Sequence, residues 1–408
     1  MISDKALDNI KVLDISDDIS GAYCTKYLAD YGADVIKIEK PNKGNTTRHM
    51  GPFFQDEPDI EKSLLYFYLN CNKRSITLDI TQNSGKKILF ELLSNVDVFV
   101  ENFQPNYLEE IGITYEQLQQ QFPKLIIMSL TPFGQFGPRS HFKGNDLIYY
   151  AMSGIMHISG AYGKPPLKHG HPQSYYMAGM TAAYTITSAL FSKSMSNTGQ
   201  HIDVSLQEVV ASHHYNGPTR YSYTGAIEAR ATKVEGSSFK GIKFEGIVKA
   251  KDGYIGASSQ QGRPRPLFST YAEMLDIPEL SDKKFSSATD RIDNADELDE
   301  ILLPKLEEWN KYDYFDKTMS DGWVTGVVQT PEDLLKCPQL DDREYFMEVE
   351  HPKIGKITIP GEIFRLPNCP WQFTRPAPLL GQHNTEIYCE ELEYSKNDVI
   401  MLKQGGII

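Results

Sequence analysis

Residues 9–39 limit the possible folds more than any other stretch. NIKVLDIS (Asn9–Ser16) is an apolar-rich run ending in polar residues, the pattern of a buried strand. Ser20-Gly21 opens a helix expected to reach Tyr31, Gly32 caps its end, and ADVIKIE (Ala33–Glu39) reads as the next strand. Strand, helix and strand within roughly 30 residues make a βαβ unit, whose two strands are parallel. The turn between strand and helix is Ser16-Asp17-Asp18-Ile19-Ser20-Gly21. A dinucleotide site needs G-x-G-x-x-G there, and two aspartates beside a pyrophosphate repel it. The unit has the layout of a nucleotide-binding fold without its phosphate fingerprint.

The alternation continues. Pro41–Phe54 reads as loop, 75–80 (SITLDI) as strand, and 84–94 as a helix with Ile88, Leu89, Leu92 and Leu93 on one face. VDVFVE (96–101) and LIIMSL (125–130) are strands, with short helices at 107–112 and 115–121 between them. The expectation is an α/β, doubly wound, Rossmann-like large domain over 1–220 and 331–408. From Tyr221 the texture changes. Lys243–Val248 and Tyr254–Ala257 flank Asp252-Gly253 as a hairpin, 277–310 is charged and largely helical, and 323–328 is a short strand. Residues 221–330 are therefore expected to form a smaller α+β domain. Pro367, Pro370, Pro376 and Pro378 suit an extended segment that carries the tail back across the first domain.

Residues 170–206 combine a loop, a helix expected from Met177 to about Ser194, a turn at Asn197-Thr198-Gly199 and a strand, His201–Leu206. Small residues (Ala178, Ala182, Ala189) recur along the helix and let another backbone come close.

Several segments, in order, resemble those of the family III CoA-transferases, the CaiB–BaiF type. They include Val12-Leu13-Asp14, Tyr31–Glu39, Asn72-Lys73-Arg74-Ser75, Val100-Glu101-Asn102-Phe103, Phe133–Pro138 and Ala151-Met152-Ser153-Gly154. Behind them come Thr198-Gly199-Gln200, Ile202–Leu206, Glu350-His351-Pro352 with Gly355, and Ala377–Gly381. The resemblance spans nearly the whole chain. It implies two chains threaded as linked rings, with CoA or an acyl-CoA as substrate and no permanently bound cofactor.

In that family, an aspartate four residues before a helix glycine attacks the acyl-CoA carbonyl and carries the acyl group and then CoA in turn. Here the place falls on Tyr175, four residues before Gly179, and no carboxylate lies between Gly170 and Leu190. A phenol with a pKa of about 10 is almost wholly protonated at neutral pH. It also has no carbonyl, so it can never become a CoA thioester. A histidine–aspartate racemase site is equally unsupported, because the matching segment reads Gly144-Asn145-Asp146. Asp146, Glu101 and Asp203 lie in matched segments and read as structural acids that cap turns or pair with bases. Carried over by position, CoA contacts fall on Lys40, on the backbone of Leu78, on Asn102 and Phe103, and on Lys143, whereas Thr81 and Glu110 replace two basic positions.

Composition bounds the alternatives. The formal net charge of −13 argues against a nucleic-acid surface. No apolar run approaches the ~18 residues of a membrane span, and MISDKALDNI has no secretory pattern. Five cysteines without a C-x-x-C pair argue against a disulfide framework or zinc site, which suits the cytoplasm. His169 and His171 flank Gly170 with no carboxylate or cysteine to complete a metal site, so no metal is expected.

The resulting expectation is a transferase subunit that moves CoA between an acyl-CoA, such as succinyl-CoA, and a small carboxylic acid. It resembles the aspartate-lacking subunit of two-subunit enzymes of the benzylsuccinate type, with an aspartate-bearing homologue as partner; a homodimer is the other arrangement. The alternatives are a stand-alone acyl-CoA isomerase or lyase of the same fold, and a non-enzymatic CoA-ligand-binding homologue.

Overall fold

The computed structural model describes residues 5–160, 164–214, 217–227, 246–256 and 268–408. The chain divides into two compact units. One comprises 1–156, 168–222 and 344–408; the other comprises 157–167 and 223–343, where a domain of 221–330 was expected.

In the first unit the elements are β1 (Lys11–Asp14), α1 (Ile19–Asp30), β2 (Asp34–Glu39), α2 (Leu64–Asn70), β3 (Arg74–Thr77), α3 (Asn83–Leu93), β4 (Val98–Glu101), α4 (Tyr107–Glu110), α5 (Tyr115–Gln121) and β5 (Ile126–Thr131). After these come α6 (Asp146–Met152), α8 (Gln173–Ser196), β6 (His201–Ser205) and α9 (Leu206–Ser212), while α7 (Ile155–Ile158) and α10 (Gly217–Thr224) run across the two boundaries between the units. Six strands form one parallel sheet in the order β3-β2-β1-β4-β5-β6, with registers such as Val12 opposite Val35 and Val98. This is the doubly wound order, with its switch point between β1 and β4.

Both sheet faces are covered, which is why the strands read as continuous apolar runs. Val12, Val35, Val98, Ile126 and Met128 face α1 and α8. Leu13, Ile36, Ile76, Phe99 and Ile127 face the layer that holds Ile88 and Leu89 of α3. The tail completes this second layer with Ile387, Tyr388, Ile407 and Ile408. It also covers the edge strand β3: His383 Nδ1 and Asn384 Oδ1 accept from the amides of Ser75 and Thr77 at 3.1 and 2.9 Å.

Helix α8 begins at Gln173, a turn earlier than its apolar periodicity indicates. Asp146, on α6, supplies the missing start signal: its Oδ1 accepts from the Ser174 amide and hydroxyl at 3.0 and 2.6 Å. A cap that comes from 28 residues away leaves no local mark in the sequence. Further along, Gly179 lets α8 press on the first turn of α1, for a Cβ there would sit 2.6 Å from the carbonyl oxygen of Ser20.

The second unit contains β7 (Ile247–Ala250) and β8 (Gly253–Gly256), an antiparallel pair that β9 (Gly326–Val327) joins. The expected hairpin is present at its turn; its outer residues Lys243, Phe244, Glu245 and Ala257 lie outside the described residues. The strand expected over 323–328 is confined to two residues, because Trp323 is buried in the helical core with Tyr271 and Tyr314. In the tail, β10 (Phe346–His351) and β11 (Gly355–Pro360) pair as a further hairpin, within the first unit.

Candidate active site

A cleft of about 300 Å³ opens at the carboxyl ends of β1, β2, β3 and β4, where open α/β sheets bind ligands. Ile15, Ser16 and Asp17 follow β1, Lys40 to Asn45 follow β2, Leu78 to Thr81 follow β3, and Phe103 follows β4. The lip after β2 is held from below. Arg48, fully buried, donates to both oxygens of Glu39 at 2.6 and 2.9 Å and to the Pro378 carbonyl at 2.9 Å. Burial pushes Glu39 upward, but the hydrogen bonds and charge of Arg48 outweigh it and keep the carboxyl below its ordinary value. Under β1, buried Lys37 donates to Asp14 at 2.9 Å and to the Ser16 carbonyl at 2.5 Å.

The residues expected to contact CoA divide between this cleft and the surface. Lys40, Leu78 and Phe103 line the cleft. Lys40 is bound to Asp17 at 2.8 Å on the rim. Asn102 stands behind Asp17, its Oδ1 accepting the Asp17 amide at 2.8 Å. Lys143 does not line the cleft; it is exposed in the segment before α6. Of the two departures, Thr81 lines the cleft with its hydroxyl donated to Asp79, and Glu110 is exposed on α4.

Tyr175 lies in the first turn of α8, part-buried against Tyr176 and the Ile19 cluster. Its ring meets that of Tyr149 edge-on, with centroids 5.8 Å apart. Burial first, and then the carboxylate of Asp18, push the Tyr175 phenol above its ordinary value. Phenolate is thus scarcer here than in water, so this side chain is no better a nucleophile than free tyrosine.

The three carboxylates weighed as substitutes have structural bonds. Asp146 caps Ser174 and pairs with Lys168 at 2.7 Å. Glu101 accepts from the Phe103 amide and Tyr115 hydroxyl at 2.8 and 3.0 Å, and burial pushes it up to about 7. Asp203 accepts the Gln135 amide at 2.9 Å. His169 contacts the Tyr150 hydroxyl at 3.1 Å. Among the described residues no His, Cys, Asp and Glu group is arranged to hold a metal ion.

Sequence reasoning missed Asp18. It was read only as an anion hostile to pyrophosphate. It is the N-cap of α1, accepting from the Ser20 and Gly21 amides at 2.8 and 3.2 Å, and, after burial, its charge and that of Asp146 raise the phenols of both Tyr175 and Tyr149. Burial raises its pKa against those hydrogen bonds. The signal was present: an aspartate just before a helix that follows a strand is an N-cap, and such turns face the ligand side of the sheet.

Comparison with known proteins agrees with this geometry. Residues 7–384 match the family model described as CoA-transferase family III. The chain is 34% identical to a human succinyl-CoA:glutarate CoA-transferase, over 99% of this chain and 90% of that protein. It is 30% identical to subunit BbsE of a succinyl-CoA:(R)-benzylsuccinate CoA-transferase from Thauera aromatica, over 93% of each. A CAIB/BAIF family crystal structure from Brucella suis superposes with a TM-score of 0.83 at 26% identity, over 95% of this chain and all of that one. Its substrates are therefore CoA thioesters, and the chain belongs to the family III CoA-transferases.

Proposed function

We propose that this chain is the subunit of a two-chain CoA-transferase that does not carry the acyl group, and that an aspartate-bearing homologue is its partner. The complex moves CoA between an acyl-CoA of the succinyl-CoA type and a small carboxylic acid. The observation that carries this reading is Tyr175 in the first turn of α8, where the family resemblance calls for aspartate. The reaction needs a group that becomes first a mixed anhydride and then a thioester, and a phenol forms neither.

The CoA nucleotide end is assigned to the cleft beside Lys40, Leu78 and Phe103, which has the volume and the sheet-end position for it. The likeness to BbsE, a subunit by name, supports the two-chain arrangement. So does an exposed apolar set, Leu147, Ile148 and Met152 on α6 with Tyr184, Phe191 and Met195 on α8, which suits cover by a homologous chain. All five cysteines are free, consistent with work in the cytoplasm.

The test is CoA exchange between succinyl-CoA and glutarate, measured for the purified chain and for the complex isolated with its homologue. The reading expects exchange only from the complex. Exchange by this chain alone overturns it. Consumption of an acyl-CoA by this chain without any acceptor acid would replace it with the isomerase or lyase reading, in which Asp18 and Tyr175 are the available proton donors.

A further inference from the structure

The cleft at the carboxyl end of the sheet is short of free positive charge. Its lining contains two lysines, Lys40 and Lys43, both on the loop after β2, and three carboxylates, Asp17, Glu39 and Asp79. Two of these acids are already paired: buried Arg48 holds Glu39 at 2.6 Å, and Lys40 holds Asp17 at 2.8 Å. Asp79 has no basic partner among the described residues. It accepts from the Thr81 amide and hydroxyl at 3.0 and 2.6 Å and from the Gln82 side chain at 2.9 Å. The loop after β3 therefore brings a negative charge to the cleft, although the family resemblance calls for a base at Thr81.

Lys43 is the remaining cation. It is exposed, and among the described residues no carboxylate pairs with its ammonium group. Its backbone is fixed. The carbonyl meets His49 Nε2 at 2.8 Å, and the amide donates to the Lys40 carbonyl at 3.3 Å. The rest of the loop is bolted to the sheet. Asp17 accepts the Thr46 amide at 2.6 Å, and the Asn45 side chain donates to the Ser16 carbonyl at 2.8 Å. Gly44, at φ +72°, rests on Arg48, where a Cβ would fall 2.6 Å from its Cδ.

We propose that Lys43 is the phosphate-binding cation of this cleft, so that a phosphate of the CoA nucleotide lies against the loop after β2 and away from the loop after β3. This deepens the proposed function and rests on its assignment of the CoA nucleotide end to the cleft.

The charges decide the orientation. A phosphate beside Asp79 meets a like charge, whereas one beside Lys43 meets a cation that gives up no existing pair. Lys40 must share Asp17 with the ligand, so it contributes less. An ammonium on a flexible stem is a sufficient point charge for phosphate. The opposite side of the cleft suits the uncharged base. Leu78 and Ile80 line it after β3, and Phe103 and Tyr107 line it after β4 with ring centroids 4.7 Å apart.

The test is isothermal titration of the full-length chain with CoA and with dephospho-CoA, at two salt concentrations. Lys43→Ala is expected to weaken CoA binding about tenfold, the size of one partly screened charge pair at contact distance, and to flatten its salt dependence. Lys43→Arg should bind within about twofold of the parent, since it keeps the charge. Unchanged melting curves for both variants show that they are folded. A loss for CoA alone identifies the 3′-phosphate as the group at Lys43, and an equal loss for dephospho-CoA identifies the pyrophosphate; either supports the proposal. Lys43→Ala binding CoA as the parent does, or Lys43→Arg losing as much as Lys43→Ala, overturns the inference alone. Failure of CoA to bind the parent chain overturns the cleft assignment beneath it, and the inference with it.

Discussion

The carboxylate of Asp146 holds both the amide and the hydroxyl of Ser174, at 3.0 and 2.6 Å, and so ties the turn that carries Tyr175 to α6. The same carboxylate takes Lys168 at 2.7 Å, and Lys168 donates to the carbonyls of His169 and His171. One buried acid thus sets both the start of α8 and the loop before it. Asp146→Ala is expected to lower unfolding free energy by about 1–3 kcal/mol, the cost of a lost cap with its donors left unpaired. Denaturant titration checks this, and Asp146→Asn should recover part of the loss.

The crossing of α1 and α8 should tolerate no side chain at Gly179. Its Cβ would fall 2.6 Å from the Ser20 oxygen and 3.1 Å from the Cys24 amide nitrogen, both backbone atoms that cannot turn aside. Gly179→Ala is expected to cost about 1–3 kcal/mol. Gly137, whose Cβ would meet nothing within 4 Å, has φ +98°, so Gly137→Ala should lose only its conformational cost. Comparing the two melting curves separates crowding from backbone strain.

Glu101 gives stability an unusual pH slope. Burial raises its pKa in the folded chain to about 7, above the ordinary value of 4.5. The native state therefore holds this proton where the unfolded chain releases it. Its stabilising share is complete below about pH 4 and disappears as pH rises through about 7, up to about 3 kcal/mol in all. Subtracting the stability of Glu101→Gln from that of the parent across pH 4–8 should expose this slope. Glu39, held low by Arg48, contributes the opposite way and loses its share as pH falls through its depressed value.

Charge on the cleft rim should tune CoA affinity. Lys40 is exposed and bound to Asp17 at 2.8 Å. Lys40→Ala is expected to weaken CoA binding about threefold, as for one exposed ion pair, with the difference fading at high salt. Asp17→Asn should act the other way, because it removes an anion and frees the lysine. Isothermal titration at two salt concentrations checks both.

The βαβ alternation and the apolar runs made the sheet legible in the sequence, since strands buried on both faces carry no other pattern. The cleft was legible in part: Lys40, Leu78 and Phe103 line it, whereas Lys143 is on the surface. The start of α8 was not legible, because its cap comes from Asp146, 28 residues earlier. Nor was the close approach of α8 to α1, which depends on Gly179 resting on the Ser20 carbonyl. A reading along the chain finds each residue's neighbours in sequence, whereas the packing around Tyr175 comes from α1, α6 and α8 together.

Under the proposed function no group on this chain carries the acyl moiety. Succinyl-CoA added to the isolated complex, followed by hydroxylamine, converts an activated carboxyl to a hydroxamate that peptide mass mapping locates. The predicted result is a hydroxamate on an aspartate of the homologous partner and none on this chain. A hydroxamate on Asp18, Asp146 or any other carboxylate of this chain would contradict it.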